Sequence, residues 1–161
     1  MPDTNSLEEL LGYRFKDPKM LDSALIHSSA HDVKGITQGD IEHVERLSWL
    51  GDSVLDLAVS HELYSTLKTA PKARLNQCYE DIVNNDAVGR MAKQLGFDAK
   101  MIIGKSLQQN PEAKDKHVML AGALEAVLGA IYLDGGIQGA RAAVRKLWAE
   151  DFRKCSNTSE I

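Results

Sequence analysis

Aromatic side chains make up only 6% of the 161 residues, so the core of this chain has to be built mainly from aliphatic ones. Cysteine is scarce as well. Cys78 and Cys155 lack metal-ligand spacing. Two cysteines without an export signal are expected to remain free thiols, although one disulfide is possible in principle. His27, His31, His43, His61 and His117 are scattered, with no HExxH-type pair, which argues against a zinc centre. A positive excess is missing too: 19 Lys and Arg stand against 23 Asp and Glu, a net charge of −4. That excludes a strongly basic arm or tail as the main nucleic-acid anchor, though not a local basic patch. No apolar run approaches the ~18–20 residues needed to span a bilayer. Met1-Pro2-Asp3-Thr4-Asn5 has neither the basic-then-apolar order of a signal peptide nor the Arg-rich character of a transit peptide. No membrane partner is expected, and the chain as given reads as cytoplasmic or otherwise intracellular. Period-2 strand patterns, internal repeats and low-complexity blocks are also lacking.

What remains is helical. A content of 43% hydrophobic and 26% charged residues suits one soluble domain with a substantial core. Leu7, Leu10 and Leu11 begin a short apolar stripe. Asp17-Pro18 predicts a helix start, since Asp caps and Pro is tolerated at the first helical position. Met20, Leu21, Ala24 and Leu25 follow at helical spacing. Residues 30–39 read as a loop. The longest periodic run covers 43–67, with Leu47, Leu50, Val54, Leu57, Ala58 and Leu63 at 3–4 spacing. Gly51 interrupts it. A mid-helix glycine costs about 1 kcal/mol relative to alanine, so it marks close approach of another backbone or a bulky side chain. Pro71 opens a further helix to about Val83, and Asn84-Asn85-Asp86 caps another that ends near Gly96. Residues 104–115 read as a loop and 116–133 as an apolar helix stopped by Asp134-Gly135-Gly136. A last helix runs to about Lys154. The fold class is all-α, with one domain over 1–154 and a polar tail over 155–161.

Carboxylates sit inside two of these apolar helices. Glu45 and Asp52 lie two turns apart on one face of the first. Glu125 lies within Leu120-Ala121-Gly122-Ala123-Leu124-Glu125-Ala126-Val127-Leu128. An unpaired buried carboxylate is costly, so each needs either a cation such as Arg46, Arg74, Arg90 or His43, or a metal held between helices.

Five ordered blocks then point to a family. Glu45-Arg46-Leu47-Ser48-Trp49-Leu50-Gly51-Asp52-Ser53-Val54-Leu55 resembles the ERLEFLGDSVL signature of the ribonuclease III endonuclease domain. Leu11-Gly12-Tyr13-Arg14-Phe15 is similar to its opening motif. Ala24-Leu25-Ile26-His27-Ser28-Ser29 matches ALTHxS, and Val83-Asn84-Asn85 matches LVNN. The run from Glu125 to Gly136 resembles EALIGAIYLDGG. The resemblance spans Leu7 to about Trp148. It implies an all-helical domain that forms a homodimer through the signature helix, with a valley for double-stranded RNA across the dimer. It also implies four carboxylates per site that hold Mg2+ for phosphodiester hydrolysis. The implied interface residues are Leu47, Trp49, Leu50, Gly51, Val54 and Leu55. Trp49 stands where the family packs a bulky side chain into a socket of the partner, unless it serves simple core packing.

At the ligand positions the chain departs from the pattern. The first is Ser48 and the third Gly122, whereas Asp52 and Glu125 retain the second and fourth. Glu45 matches the signature's first Glu, which is not one of the four ligands. Val44 replaces a common Asn, and Tyr79 a common Arg. Losing two carboxylates takes about −2 from a site whose hold on a divalent cation is largely Coulombic. Magnesium-dependent cleavage is therefore expected to be lost, with Asp52 and Glu125 left as a weak metal site at most. The retained Glu45, Asp52 and Glu125 are then vestigial or repurposed. The chain as given also carries no counterpart of the family's double-stranded-RNA-binding domain. Basic clusters at Lys68/Lys72/Arg74, Lys114/Lys116 and Arg141/Arg145/Lys146 read as solvated surface. Three functions stay open. One is a non-catalytic RNA-associated or scaffold protein with an RNA or ribonucleoprotein partner. Another is an active endonuclease with an altered metal site. The third is a valley reused to bind or convert a small molecule.

Overall fold

A computed structural model describes residues 4–110 and 116–157. Nine helices occur among the described residues: α1 (Thr4–Leu11), α2 (Pro18–Ala24), α3 (Gln38–Thr66), α4 (Lys72–Val83), α5 (Asn85–Gln94), α6 (Phe97–Lys100), α7 (Lys105–Gln109), α8 (Lys116–Leu147) and α9 (Ala149–Asn157). A 3-10 turn, Ser28–Asp32, precedes α3. No strand occurs there beyond an isolated bridge between Ile26 and Ile102. The all-α expectation holds.

Helix starts follow local chemistry. The Asp17 side chain accepts from the Lys19 N–H, and Pro18 takes the first helical position of α2. Thr37 and Asp40 form a reciprocal capping box at the start of α3, which satisfies two backbone donors the helix itself leaves open. Asn84 caps α5 by accepting from the Ala87 N–H at 2.9 Å.

The architecture is organised around the α3–α8 pair, with α5 as the next partner of α8. Gly51 and Gly129 set its closeness. A Cβ on Gly51 would come within 1.6 Å of the Glu125 carbonyl oxygen, and one on Gly129 within 2.4 Å of the Leu47 carbonyl oxygen. The two backbones touch where other residues would hold them apart. Contrary to the expectation that no apolar run approaches a bilayer span, helix α8 is long and apolar enough to cross a membrane by length and composition alone, but more than half of that stretch is buried inside the protein. Its apolarity is accounted for by its place at the centre. Gly136, at φ 69° and ψ −175°, breaks the helical path, where the Asp134-Gly135-Gly136 stop was expected. The Asp134 carboxylate accepts from the Tyr13 hydroxyl at 2.6 Å and from the Lys16 N–H at 2.8 Å, tying the α1–α2 connection to this bend.

Four details differ from the sequence reading. Residues 105–109 are the short helix α7 rather than loop, because Leu107 turns inward and is buried; residues 111–115 lie outside the described set. Residues 97–100 form α6, which anchors the buried Phe97. The last helix is divided after Leu147, and α9 runs on through Asn157. The polar tail therefore does not begin at 155, since Cys155 is buried in α9.

The fourth concerns the thiols. Cys78 on α4 and Cys155 on α9 are joined in a disulfide, with Cα atoms 6.1 Å apart. Spacing along the chain carries no information about a pair 77 residues apart that meets only when α4 packs on α9. Closing a loop of that length restricts the unfolded chain by about 4 kcal/mol in the loop-entropy account. Reduction, or Cys78→Ser, is therefore expected to lower the melting temperature by roughly 10 °C. Calorimetric scans with and without dithiothreitol check this, and an unchanged midpoint would refute it.

Candidate functional site

The close α3–α8 contact decides which side chains meet. Ser48 and Asp52 are one turn apart on α3; Gly122 and Glu125 are one turn apart on α8. The Ser48 hydroxyl donates to Glu125 Oε2 at 3.4 Å. A Cβ on Gly122 would lie 3.6 Å from Ser48 Oγ. Ser48 and Gly122 thus face each other across the helix contact.

Glu125 is half-buried and its carboxyl is pushed up to about 7. Burial is the main cause, followed by the negative charge of Asp52; Asp56 adds to it and the Ser48 hydroxyl opposes it. Asp52 is raised by burial and by Asp56 one turn further along α3. Tyr79 on α4 is pushed to about 12 by burial, by its hydrogen bond to Asp56, and by the charges of Asp56 and Asp52. Asp56 and Tyr79 therefore complete an acidic group. In the sequence Tyr79 stands out only as a replaced Arg and Asp56 belongs to no motif, although its i+4 spacing from Asp52 places it on the same face.

The cations considered as partners do not fill that role. Among the described residues none of Arg46, Arg74, Arg90 and His43 pairs with Asp52 or Glu125. Arg74 donates to the Cys155 carbonyl at 3.2 Å. Glu45 is exposed and lines a recess with Ser48 and Gly122. Among the described residues no cluster of three or more His, Cys, Asp and Glu is arranged to hold a metal.

Uncompensated negative charge has a measurable consequence. A carboxyl raised in the folded state binds its proton more tightly there than in the unfolded chain. The Glu125 contribution to stability is then fully present below the ordinary carboxyl range and is lost as pH rises from about 4.5 through about 7. Water reaching the half-buried group screens the effect to about 1–2 kcal/mol. Glu125→Gln is expected to flatten this decline, measured by urea unfolding at pH 5 and pH 8 in EDTA. An equal slope in both proteins would contradict it.

The six expected interface residues divide. Leu47, Gly51, Val54 and Leu55 are buried within the chain's own core. Leu50 is half-buried, and Trp49 is 77% exposed. With Leu50 and the 55% exposed Leu133, Trp49 borders a recess also lined by His43 and Arg46. Core packing is thus not what Trp49 does. In the basic clusters Arg145 pairs with Glu62 at 3.3 Å and Lys146 donates to the Glu9 carbonyl, while Lys68, Lys72 and Lys116 are exposed. Lys114 lies outside the described residues.

Comparison with known proteins agrees with this architecture. The profile of the Ribonuclease-III-like family matches residues 17–151. Ribonuclease 3 of Magnetococcus marinus is 40% identical over 146 residues, covering 89% of this chain and 58% of that protein. Ribonuclease 3 of Oleidesulfovibrio alaskensis is 36% identical, covering 86% and 58%. The chain thus spans a little over half the length of these relatives. The solved nuclease domain of ribonuclease III from Campylobacter jejuni, described with a flexible region involved in dimer formation, superposes with a TM-score of 0.77. It is 29% identical and covers 94% of this chain and 99% of its own.

Proposed function

Because this chain belongs to the ribonuclease-III-like family, we propose that it is a homodimeric, RNA-associated scaffold that does not cleave double-stranded RNA with magnesium. The observation that carries this reading is the meeting of Ser48 and Gly122 across α3 and α8, 3.6 Å from Oγ to the Gly122 Cβ position. Magnesium demands hard oxygen ligands in near-octahedral order. Here the two carboxylates Asp52 and Glu125 and one hydroxyl stand where the family supplies four carboxylates. This donor set does not fit the family's magnesium cage. Such a role would place the protein in the cytoplasm or another RNA-containing compartment.

The deciding assay incubates the protein with duplex RNA in Mg2+ and in Mn2+, beside a gel shift in EDTA. Retention without cleavage is expected. Cleavage that disappears in Asp52→Ala and Glu125→Ala would overturn the reading in favour of an active nuclease with an altered site. That second reading is favoured by the retention of those two carboxylates, one from each helix.

The dimer is proposed to form through the Trp49–Leu50–Leu133 surface. An exposed indole beside an exposed leucine is the kind of apolar patch that an interface covers. Trp49→Glu is expected to give a folded monomer, since the side chain contributes little to the monomer's own core. Sedimentation velocity with circular dichroism checks this, and an unchanged dimer would refute the interface.

A further inference from the structure

The substitutions that thin the acidic cage also open a cavity. Between the 3-10 turn, α3 and the start of α8 lies a recess of about 280 Å³, close to the lower end of the ~300–1,000 Å³ range of small-molecule sites. Its walls are mainly apolar, formed by Ile26, Val44, Met101, Met119 and Ala123. Gly122 lines it without a side chain, and Ser48 contributes a small one. Carboxylates of the family's type at these two positions would project into the same space.

Polar groups enter the recess at few points. The Ser48 hydroxyl is already directed to Glu125. The His27 ring is oriented by the Ser29 N–H, which donates to Nδ1 at 3.1 Å. Glu45 is the one Asp, Glu, Lys or Arg in the lining. It makes no ion pair with any described residue. A recess with apolar walls, single-ring dimensions and one carboxylate that no described residue pairs selects a cation over an anion, and an apolar body over a sugar or phosphate.

We propose that this recess binds a compact primary amine, its ammonium on Glu45 and its ring-sized body against Val44, Met101 and Met119. The inference rests on the reading that Ser48 and Gly122 have left the magnesium cage. Calorimetry on the full chain in EDTA uses benzylamine and phenethylamine, with benzyl alcohol as the neutral counterpart. The amines are expected to bind about tenfold more tightly than the alcohol, the modest ratio of a charged hydrogen bond at a solvent-facing mouth. Glu45→Gln should abolish that difference, and Gly122→Leu should fill the recess and weaken every compound at least tenfold with helicity retained. Absence of binding, equal binding of amine and alcohol, or unchanged binding in a folded Gly122→Leu would overturn the proposal. Should Gly122→Leu fail to fold, the exposed Glu45→Gln alone decides. The same preparation is assayed on duplex RNA with Mg2+. Cleavage there defeats the function proposed above, while amine binding in EDTA is judged on its own result.

Discussion

Ser48→Glu combined with Gly122→Asp is expected to confer magnesium-dependent cleavage of duplex RNA. The two changes return the carboxylates that the family pattern places opposite Asp52 and Glu125. Space exists for both. A Cβ on Gly122 makes only an ordinary 3.6 Å contact with Ser48 Oγ, and Ser48 is half-buried rather than enclosed. Charge at the site doubles from about −2 to about −4, which is the main determinant of divalent-ion affinity here. A metal that activates water and stabilises the leaving oxygen supplies several kcal/mol, so the rate should rise by roughly 10³-fold or more over the parent. Each single variant should restore far less. Without metal, the added carboxylates crowd Glu125, which is already held at about 7 by burial and by Asp52. The double variant should therefore be less stable than the parent in EDTA and regain stability in Mg2+, a shift that scanning calorimetry reads independently of cleavage. A folded double variant with neither a magnesium-dependent shift nor cleavage would refute the role proposed for these two positions.

Gly51→Ala is expected to abolish the native fold. Its Cβ would fall 1.6 Å from the Glu125 carbonyl oxygen, 2.4 Å from the Glu125 carbonyl carbon and 3.0 Å from the Gly129 nitrogen. All three are backbone atoms at the centre of the largest helix–helix contact, so no flexible side chain can move aside. The helices would have to separate, opening the core along Leu47, Val54, Leu124 and Leu128, all of them buried. Overpacking typically costs about 1–3 kcal/mol, and a clash with immovable backbone belongs with the exceptional cases above about 4 kcal/mol, a large part of the roughly 5–15 kcal/mol that typically holds a domain together. Gly122→Ala is the matched control. It lies on the same helix pair but meets only Ser48 Oγ at 3.6 Å, and alanine gains about 1 kcal/mol of helix propensity over glycine. Soluble expression, helicity and melting temperature distinguish the two. A native-like Gly51→Ala protein would refute the backbone contact.

These two glycines also show how far the sequence reaches. A glycine inside a strong helical period announces an approach by something, and at Gly51 that expectation was met. Nothing in the sequence identifies the neighbour as the backbone at Glu125. The same holds for the acidic group. The i, i+4 spacing from Ser48 to Asp52 and the i, i+3 spacing from Gly122 to Glu125 are legible because helical geometry is local. The contact between Ser48 and Glu125, and the entry of Asp56 and Tyr79, arise only when α3, α4 and α8 are packed. The expected interface illustrates a further limit. Adjacent positions on one helix were grouped by motif, but a residue advances about 100° around the axis. Leu47 and Val54 therefore turn to the core while Trp49 turns outward.

Residue identity along the chain was enough for the helix caps, the apolar faces, the break at Gly136, the family resemblance and the presence of Ser48 and Gly122 within its motifs. Each of these is written in residue identity and short-range spacing. The Cys78–Cys155 pairing, the seating of Gly51 against Glu125, the exposure of Trp49 and the recess beside Glu45 arise only once the helices pack. These depend on distances between residues far apart in the chain. Such distances are set by how closely helices pack, and side-chain periodicity along one helix does not encode them.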